Sequence, residues 1–588
     1  MKTRHILFSR FLALFLAILG LFLIALAFLP YGMLRVFTDS LTSDHNFNSL
    51  KVGNVGVFKL LFGAGGLVFL GLAGLTGLQC WDRVVGFARQ IIVDARRFFV
   101  SLRPQKKEYG FLAMVLVAIL LGIIFRLERI YWPFGHDEAY TYVAFSRSLF
   151  TAISDYHLPN NHVFHTILTY FSTQIFGNQP WAVRLPAFIA GVLLIPAAYW
   201  LAKRLYGRWV ALGAALLVAW FPPLVAYAND ARGYTLLALF TLLTLVVGDI
   251  VRKDKNLFAW GLISLFSALG FYTIPIMLFP FGILFVWLLL ENMIEGPGPY
   301  RTKWEFLYYW LAAGFGAAVL TLVLYIPIFI YSGPAVFFSN RFIAPVPWTD
   351  LLVTLASRFT ETGIEWTTRV PLAFTLLLSA GVILSLLFHK RLSNSRLPLQ
   401  LAALLWIVAL LVIQRPNAWA RMWVFLEPLL LIWASAGLIG LLETAPLKRW
   451  QRVPLLPAAL LGMVLIACVW QAVRLLPQLP GLWANRGNDE NAVLFVRSQL
   501  QADDLIVVSP PDDAPVWYYS AYHGIPDANF NTNRSTFNRI LVLVDKAEHQ
   551  TPASVIADRG PDSVVLDVGS PLLLTTFGKI QVFEILRK

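Results

Sequence analysis

Long apolar runs separated by short polar segments fill the first four-fifths of the chain. They fall near residues 11–29, 56–78, 110–127, 182–200, 209–228, 233–250, 257–273, 274–291, 305–331, 370–388, 398–413, 422–441 and 454–475. A bilayer core of about 30 Å takes about 20 mostly apolar residues of helix, so the pattern predicts roughly thirteen transmembrane helices. Prolines in "FYTIPIMLFP" place a turn or kink between the seventh and eighth runs. From about residue 476 the pattern changes. "DDLIVVSPP", "RILVLVD", "DSVVLDVG" and "KIQVFEIL" have the length and β-branched content of strands, and "NAVLFVRSQL" and "TPASVIADRG" read as helices between them. The expected fold is a polytopic α-helical membrane protein carrying a small external α/β domain at its carboxyl end. Three parts follow: residues 1–109 with two helices and a basic segment, a membrane core over 110–475 with long loops at 128–181 and 332–369, and the soluble domain over 476–588.

Composition agrees with a membrane protein: 58% of the 588 residues are hydrophobic and only 14% are charged. The first 30 residues begin basic and turn apolar like a signal peptide, but the apolar stretch is long and no small-residue cleavage site follows, so an uncleaved helix is expected. A net charge of +14 raises the question of nucleic acid. The Lys and Arg instead occupy short gaps, "KRLYGR", "RKDK", "HKRLSNSR", "LKRWQR" and the long basic stretch before residue 109, which with thirteen spans all fall on one side. By the positive-inside rule that side is cytoplasmic. A cell-membrane protein with a cytoplasmic amino terminus and an external carboxyl-terminal domain is expected, and nucleic acid is excluded as a partner. Cys80 and Cys468 have no spacing for a disulfide framework or a zinc site and read as packing residues.

The candidate chemistry lies on the other side. "FGHDEAYTY" puts Asp137 and Glu138 about ten residues beyond the third span, and the same loop adds Asp155, His157, Asn160, Asn161, His162 and His165 in "SDYHLPNNHVFHTIL". On the same face "YANDARGYTLL" supplies Asp230, Arg232 and Tyr234 between two spans. Solvated loop carboxylates are the plain alternative, but ionisable groups at membrane depth are expensive and tend to mark function. An acceptor hydroxyl attacking a sugar carbon needs a base, for which Asp137 is the candidate beside Glu138. A departing lipid phosphate needs fixed cations, for which Arg232 is the first candidate and Arg184, Arg415 and Arg421 follow. Those three could equally be anchors that snorkel at helix ends. His157, Asn161, His162, Asp230 and Tyr234 are the further substrate-binding candidates. A divalent metal ion on Asp137, His162 and His165 stays open, because His162 and His165 are three residues apart and would share a helix face. In the loop 332–369, Trp348, Glu361, Glu365 and Trp366 could cover a sugar, although an amphipathic surface helix is the simpler reading.

These segments resemble a known family. "HDEAYTYVAFSRSL", "NNHVFHTILTYFSTQIFGNQPWAVRLPAFIAGVLLIPAAYWLAKRLYG" and "YANDARGYTLLALF" look like the amino-terminal half of the GT-C glycosyltransferases, in the family 39-like branch of protein O-mannosyltransferases and lipid A aminoarabinose transferases. The motifs that carry the resemblance are the Asp137–Glu138 pair, the run Arg184 to Pro186, and Asp230 to Tyr234. The resemblance implies an inverting transfer from a polyprenyl-phosphate-linked sugar to an acceptor hydroxyl on a protein, lipid or glycan, with the first aspartate as base or positioning group. "NNHVFHTIL" departs from the usual His-Pro-Pro-Leu pattern, and two extra helices precede the core. The alternative is a transporter or flippase of lipid-linked saccharides, which would be expected to hold its ionisable residues near the bilayer midplane rather than in loops at span ends. A structural or assembly protein would leave Asp137 and Arg232 without a role.

Overall fold

The computed structural model describes residues 2–41, 50–77, 81–104, 106–337, 344–440, 455–484, 486–533, 537–561 and 570–587. Among the described residues, nine helices are long and apolar enough to cross a membrane, and a tenth span is available if Leu351–Thr367 and Leu372–Leu387, bent by 116° at their junction, act as one. The apolar runs expected to make thirteen spans all carry helix, but Arg208–Trp220, Leu257–Thr273 and Leu399–Gln414 are shorter. The first of these shows the reason. Its 13 residues rise only about 20 Å, and Pro222 and Pro223 then end the helix and start the short Pro222–Tyr227 turn. The kink expected within 257–291 appears as a short turn at Pro275–Met277.

At the amino end, Lys2–Phe28 packs along Val55–Gly77. The two backbones touch at Gly20 and Gly66: a Cβ on Gly20 would lie 2.8 Å from the Gly66 carbonyl oxygen, and one on Gly66 would lie 2.7 Å from that of Gly20. Small residues let membrane helices approach this closely. In the core, Pro180–Tyr206, Arg208–Trp220 and Tyr234–Lys253 pack together through alanines and leucines, and Glu427–Ser435 closes against them.

Polar groups gather at each end of this core. Along Tyr234–Lys253 the two groups lie about 22 Å apart, the rise of fifteen residues. At one end Asp249, fully buried, accepts from Arg204 at 2.7 Å, Arg252 at 2.8 Å and Lys253 at 3.0 Å. Lys203 pairs with Glu108 at 2.6 Å, and the Asn394 amide reaches the Arg204 carbonyl at 3.1 Å. The basic gaps at 203–208, 252–255 and 389–396 therefore meet at one end of the bundle, as the charge pattern predicts. The "LKRWQR" gap and Cys80 lie outside the described residues, whereas Cys468 is buried among apolar neighbours.

The carboxyl-terminal domain is a four-stranded sheet with helices. β1 (Leu505–Val508) runs parallel to β2 (Arg539–Asp545), and β2, β4 (Ile580–Leu586) and β3 (Leu572–Phe577) are antiparallel, in the order β1-β2-β4-β3. Three of the four expected strand segments form β1, β2 and β4, and the two expected helices are Asn488–Gln499 and Pro552–Arg559. "DSVVLDVG" lies outside the described residues. β3 and the helix Asp513–Tyr522 were not foreseen; "LLLTTF" joins β4 through a tight turn at Gly578, whose φ is +52°. The Asp513–Tyr522 helix is aromatic, and it docks on the loop after the third apolar run. The Tyr519 hydroxyl receives the Phe134 amide at 3.1 Å, Tyr518 donates to the Asn178 carbonyl at 2.9 Å, and the Phe134 and Tyr518 rings lie 4.0 Å apart.

Candidate active site

Gly135 turns the chain into a short helix, His136–Tyr140, which continues as a π-helical turn over Thr141–Ser146. Glu138 anchors its start. One carboxylate oxygen accepts the Gly135 amide at 3.0 Å and Arg184 Nη2 at 2.5 Å; the other accepts Arg184 Nε at 3.1 Å and the Ala231 amide at 3.1 Å. Arg184, 1% exposed, also donates to the carbonyls of Ile130 and Trp132 and stacks over Phe134. A bidentate pair this deep, with its remaining donors and acceptors matched to backbone, locks three segments together. Arg184 is therefore a buried clasp rather than a snorkelling anchor, and Glu138 spends its acceptors on the same clasp.

The clasp presents its neighbour, Asp137, to an open space. Asp137 Oδ2 accepts from Arg421 Nη1 at 2.7 Å and from Arg232 Nη1, and Oδ1 faces the Asn160 amide at 3.4 Å and His136 Nδ1 at 3.7 Å. Arg232 reaches on to Asn160 Oδ1 at 3.1 Å and faces His162 Nε2 at 3.4 Å. Its turn is held from behind by the Gly233 amide, which donates to His162 Nδ1 at 2.9 Å. A Cβ at Gly233 would lie 2.5 Å from Thr273 Cγ2, so only glycine lets the turn sit against the helix behind it.

Two cavities adjoin this group. A polar one of about 520 Å³ is lined by Asp137, Asp230, Arg232, Arg421, Tyr227 and Trp419, with Glu361 and Glu365 on its rim. A larger one of about 640 Å³ has mostly apolar walls, among them Phe271, Ile276, Leu278, Phe279, Ile413 and Met422. Arg232, Trp419 and Arg421 belong to both. An anion held by the two arginines would thus have a polar chamber on one side and an apolar groove on the other.

Electrostatics divides the labour within the polar cavity. Burial would raise the Asp137 carboxyl, but the nearby His136 and the charges of Arg232 and Arg421 outweigh it and hold Asp137 well below the usual carboxylate range. Asp230 moves the other way, pushed up to about 7 by burial and by the nearby Glu138 and Asp137 charges, with Arg232 opposing. The carboxylates of Asp137 and Asp513 on either side of the ring raise His136 to about 9, so it is a cation near neutral pH. Burial and Arg232 keep His162 and His165 neutral, the latter lowered to about 3.

The structure brings Asp137, Glu138, Asp230, Arg232, Tyr234, His162 and Arg421 to the two cavities. His157 stands aside, between the Tyr140 hydroxyl at 2.9 Å and Asp155 at 2.8 Å. Asn161 is buried and braces its own loop through the carbonyls of Ala152 and Asp155. Arg415 lies off both linings, stacked on Trp348 at 4.9 Å. The trio Asp137, His162 and His165 does not assemble as a metal site, because the Arg232 guanidinium lies between Asp137 and His162. Among the described residues no group of three His, Cys, Asp or Glu is placed to hold a metal ion. Sequence reasoning gives His136, beside Asp137 in "FGHDEAYTY", no role, and it misses Asp513, whose carboxylate meets His136 Nε2 at 3.1 Å.

Residues 161–303 match the family described as dolichyl-phosphate-mannose-protein mannosyltransferase. The resemblance to the GT-C glycosyltransferases thus stands, carried by the segment that supplies His162, Arg184, Asp230 and Arg232. A comparison with curated protein sequences returns no match. Among solved structures, ArnT from Cupriavidus metallidurans, bound to undecaprenyl phosphate, aligns with 81% of this chain and 98% of its own at 14% identity and a TM-score of 0.49. The oligosaccharyltransferase AglB from Archaeoglobus fulgidus, in complex with an inhibitory peptide and a dolichol-phosphate, aligns with 78% of this chain and 72% of its own at 12% identity and a TM-score of 0.43.

Proposed function

We infer that the protein is an inverting glycosyltransferase that moves a sugar from a polyprenyl-phosphate carrier to an acceptor hydroxyl on the external side of the membrane. The observation that carries this reading is the sharing of Arg232 and Arg421 between a polar chamber and an apolar groove, with Asp137 on the chamber side. The matched family's description, a lipid-phosphate sugar donor, is consistent with it.

In this reading the prenyl chain lies along the groove, the phosphate meets Arg232 and Arg421, and the sugar projects into the chamber. The acceptor oxygen attacks the anomeric carbon from the face opposite the phosphate, the carbon–oxygen bond to the phosphate breaks, and the acceptor proton passes to a carboxylate. Asp137 is the first candidate for that carboxylate. A phosphate drawn to the two arginines would relieve Asp137 of much of the positive charge that now depresses its basicity, so donor binding itself would prepare the base. The arginines stabilise the phosphate as negative charge returns to it. Glu138 and Arg184 position Asp137. Any need for a divalent ion is decided by assay with and without chelator.

The test is to incubate the purified protein with a panel of polyprenyl-phosphate sugars and candidate acceptors and to identify the products. Transfer with inversion at the anomeric carbon supports the reading. Movement of intact lipid-linked saccharide across a vesicle, with no new glycosidic bond, would replace it by a transporter.

A further inference from the structure

The helix Trp81–Ser101 belongs neither to the spans nor to the candidate site. It lies in the chain between the spans Val55–Gly77 and Tyr109–Leu127. The first of these begins at the candidate-site end of the bundle, where the Asn54 side chain donates to the Tyr331 carbonyl at 2.8 Å and the adjoining Ser332 donates to the Ser154 carbonyl at 2.8 Å. It runs toward the Asp249 end. The second begins at the Asp249 end, where Glu108 meets Lys203 at 2.6 Å. Trp81–Ser101 therefore enters and leaves on one side of the bundle, and its 21 residues, about 32 Å of helix, lie along that end rather than through it.

The core fixes how this helix is seated. Asp94, 1% exposed, accepts the Leu257 amide at 2.8 Å, its carbonyl receives the Asn256 side chain at 2.9 Å, and Phe98 packs edge-on against Phe258 with ring centres 5.5 Å apart. Seated in this way, the helix leaves two rows uncovered. Ile92 and Phe99, seven residues apart, are 57% and 59% exposed. Three positions before each stands an arginine, Arg89 and Arg96, and Arg103 continues that spacing just past the helix; all three are exposed. Residues three apart are neighbours on a helix, so the basic row runs beside the apolar one. Among the described residues none of these three arginines has an acidic partner, whereas Arg204, Arg252, Lys253, Lys203 and Lys255 at the same end are all paired.

We propose that Trp81–Ser101 is a binding surface for anionic phospholipid in the leaflet at the Asp249 end. Ile92 and Phe99 enter the acyl region, as the apolar side of an in-plane helix does, and the arginines bend up to the level of the headgroups. Their positive charges, unanswered by the protein, are answered by the net negative headgroups, an attraction that a zwitterionic lipid does not supply. Arginines seven residues apart on a helix are about 10 Å apart along its axis, too far to share one phosphate, so each takes its own. The proposal is independent of the transferase reading.

The test uses the full-length protein in phosphatidylcholine nanodiscs that carry, in turn, equal small fractions of diazirine-bearing phosphatidylglycerol or diazirine-bearing phosphatidylcholine, with the cross-linked residues mapped by mass spectrometry. Both lipids are expected to label residues 85–103, the anionic one about fivefold more strongly. Arg89→Gln, Arg96→Gln and Arg103→Gln together should bring that ratio close to one, and the three matching Lys substitutions should keep most of it, with the thermal midpoint unchanged in both variants. Ile92→Ser with Phe99→Ser should lower labelling by both lipids at least about fivefold. Equal labelling of the unaltered protein by the two lipids would overturn the proposal, as would a ratio that survives the Gln variant. So would residues 85–103 that neither lipid reaches, whether they stand in water or cross-link to a second copy of this chain.

Discussion

The two ends of the helical core use the same residue types to opposite effect. At one end Asp249 is enclosed by Arg204, Arg252 and Lys253, and Arg252 also lies 3.6 Å from Glu291 and 3.5 Å from Glu295. Every charge is answered by another, the carboxylate is fully buried, and the group ties helices together. At the other end Asp137 is 35% exposed and its two arginines border open cavities. The contrast teaches that an ion cluster in a membrane core is read by what it faces. A closed cluster holds the fold, and one that opens on two cavities of unlike polarity can hold a substrate between them.

Removing the carboxylate charge at each end separates these roles most sharply. Asp137→Asn should lower transfer by at least about a hundredfold, the range for positioned acid–base groups, with little change in the thermal midpoint in detergent. Unchanged transfer would remove Asp137 from the mechanism. Asp249→Asn should do the reverse, destabilising by about 3 kcal/mol because three cations lose their shared partner, while the folded fraction keeps near-normal transfer. Equal loss of transfer and stability in both variants would erase the distinction. Next in size, Arg421→Ala should weaken polyprenyl-phosphate binding about tenfold, as expected for one charge-assisted hydrogen bond, and titration calorimetry with the lipid phosphate checks this. The smallest effect concerns His136. Its pKa rises to about 9 on folding, so the contribution of its link to Asp513 is fully present below about 6.5 and is lost as pH rises through 9. Proteolysis of the junction near residue 485 should accelerate over that range. Asp513→Asn should flatten the profile.

Much of this was legible beforehand. Each apolar run carries helix because twenty apolar residues have few alternatives in a bilayer, and the basic gaps at 203–208, 252–255 and 389–396 meet at one end because each is separated from the next by an even number of runs. Asp137, Asp230 and Arg232 were readable as a group because two short motifs are separated by whole spans that return the chain to the same end. What escaped depended on contacts that no local pattern encodes. The lengths of individual spans turned on prolines such as Pro222 and Pro223. Arg184, Arg415 and Arg421 were indistinguishable as letters, yet one is a buried clasp, one stacks on Trp348 and one reaches Asp137 across 284 positions of sequence. Asp513 reaches His136 from a domain whose own sequence reads as a separate unit.

That last contact, with the tyrosines that flank it, changes what kind of object the carboxyl-terminal sheet is. Tyr518 and Tyr519 grip the peptide at Phe134, three residues before Asp137, and Arg147 on the same loop reaches Asp527 at 2.8 Å. A deletion series that trims the chain back toward the last membrane helix would release the segment on which the carboxylate is mounted. Swapping the sheet for one from a relative would transplant its footing along with it.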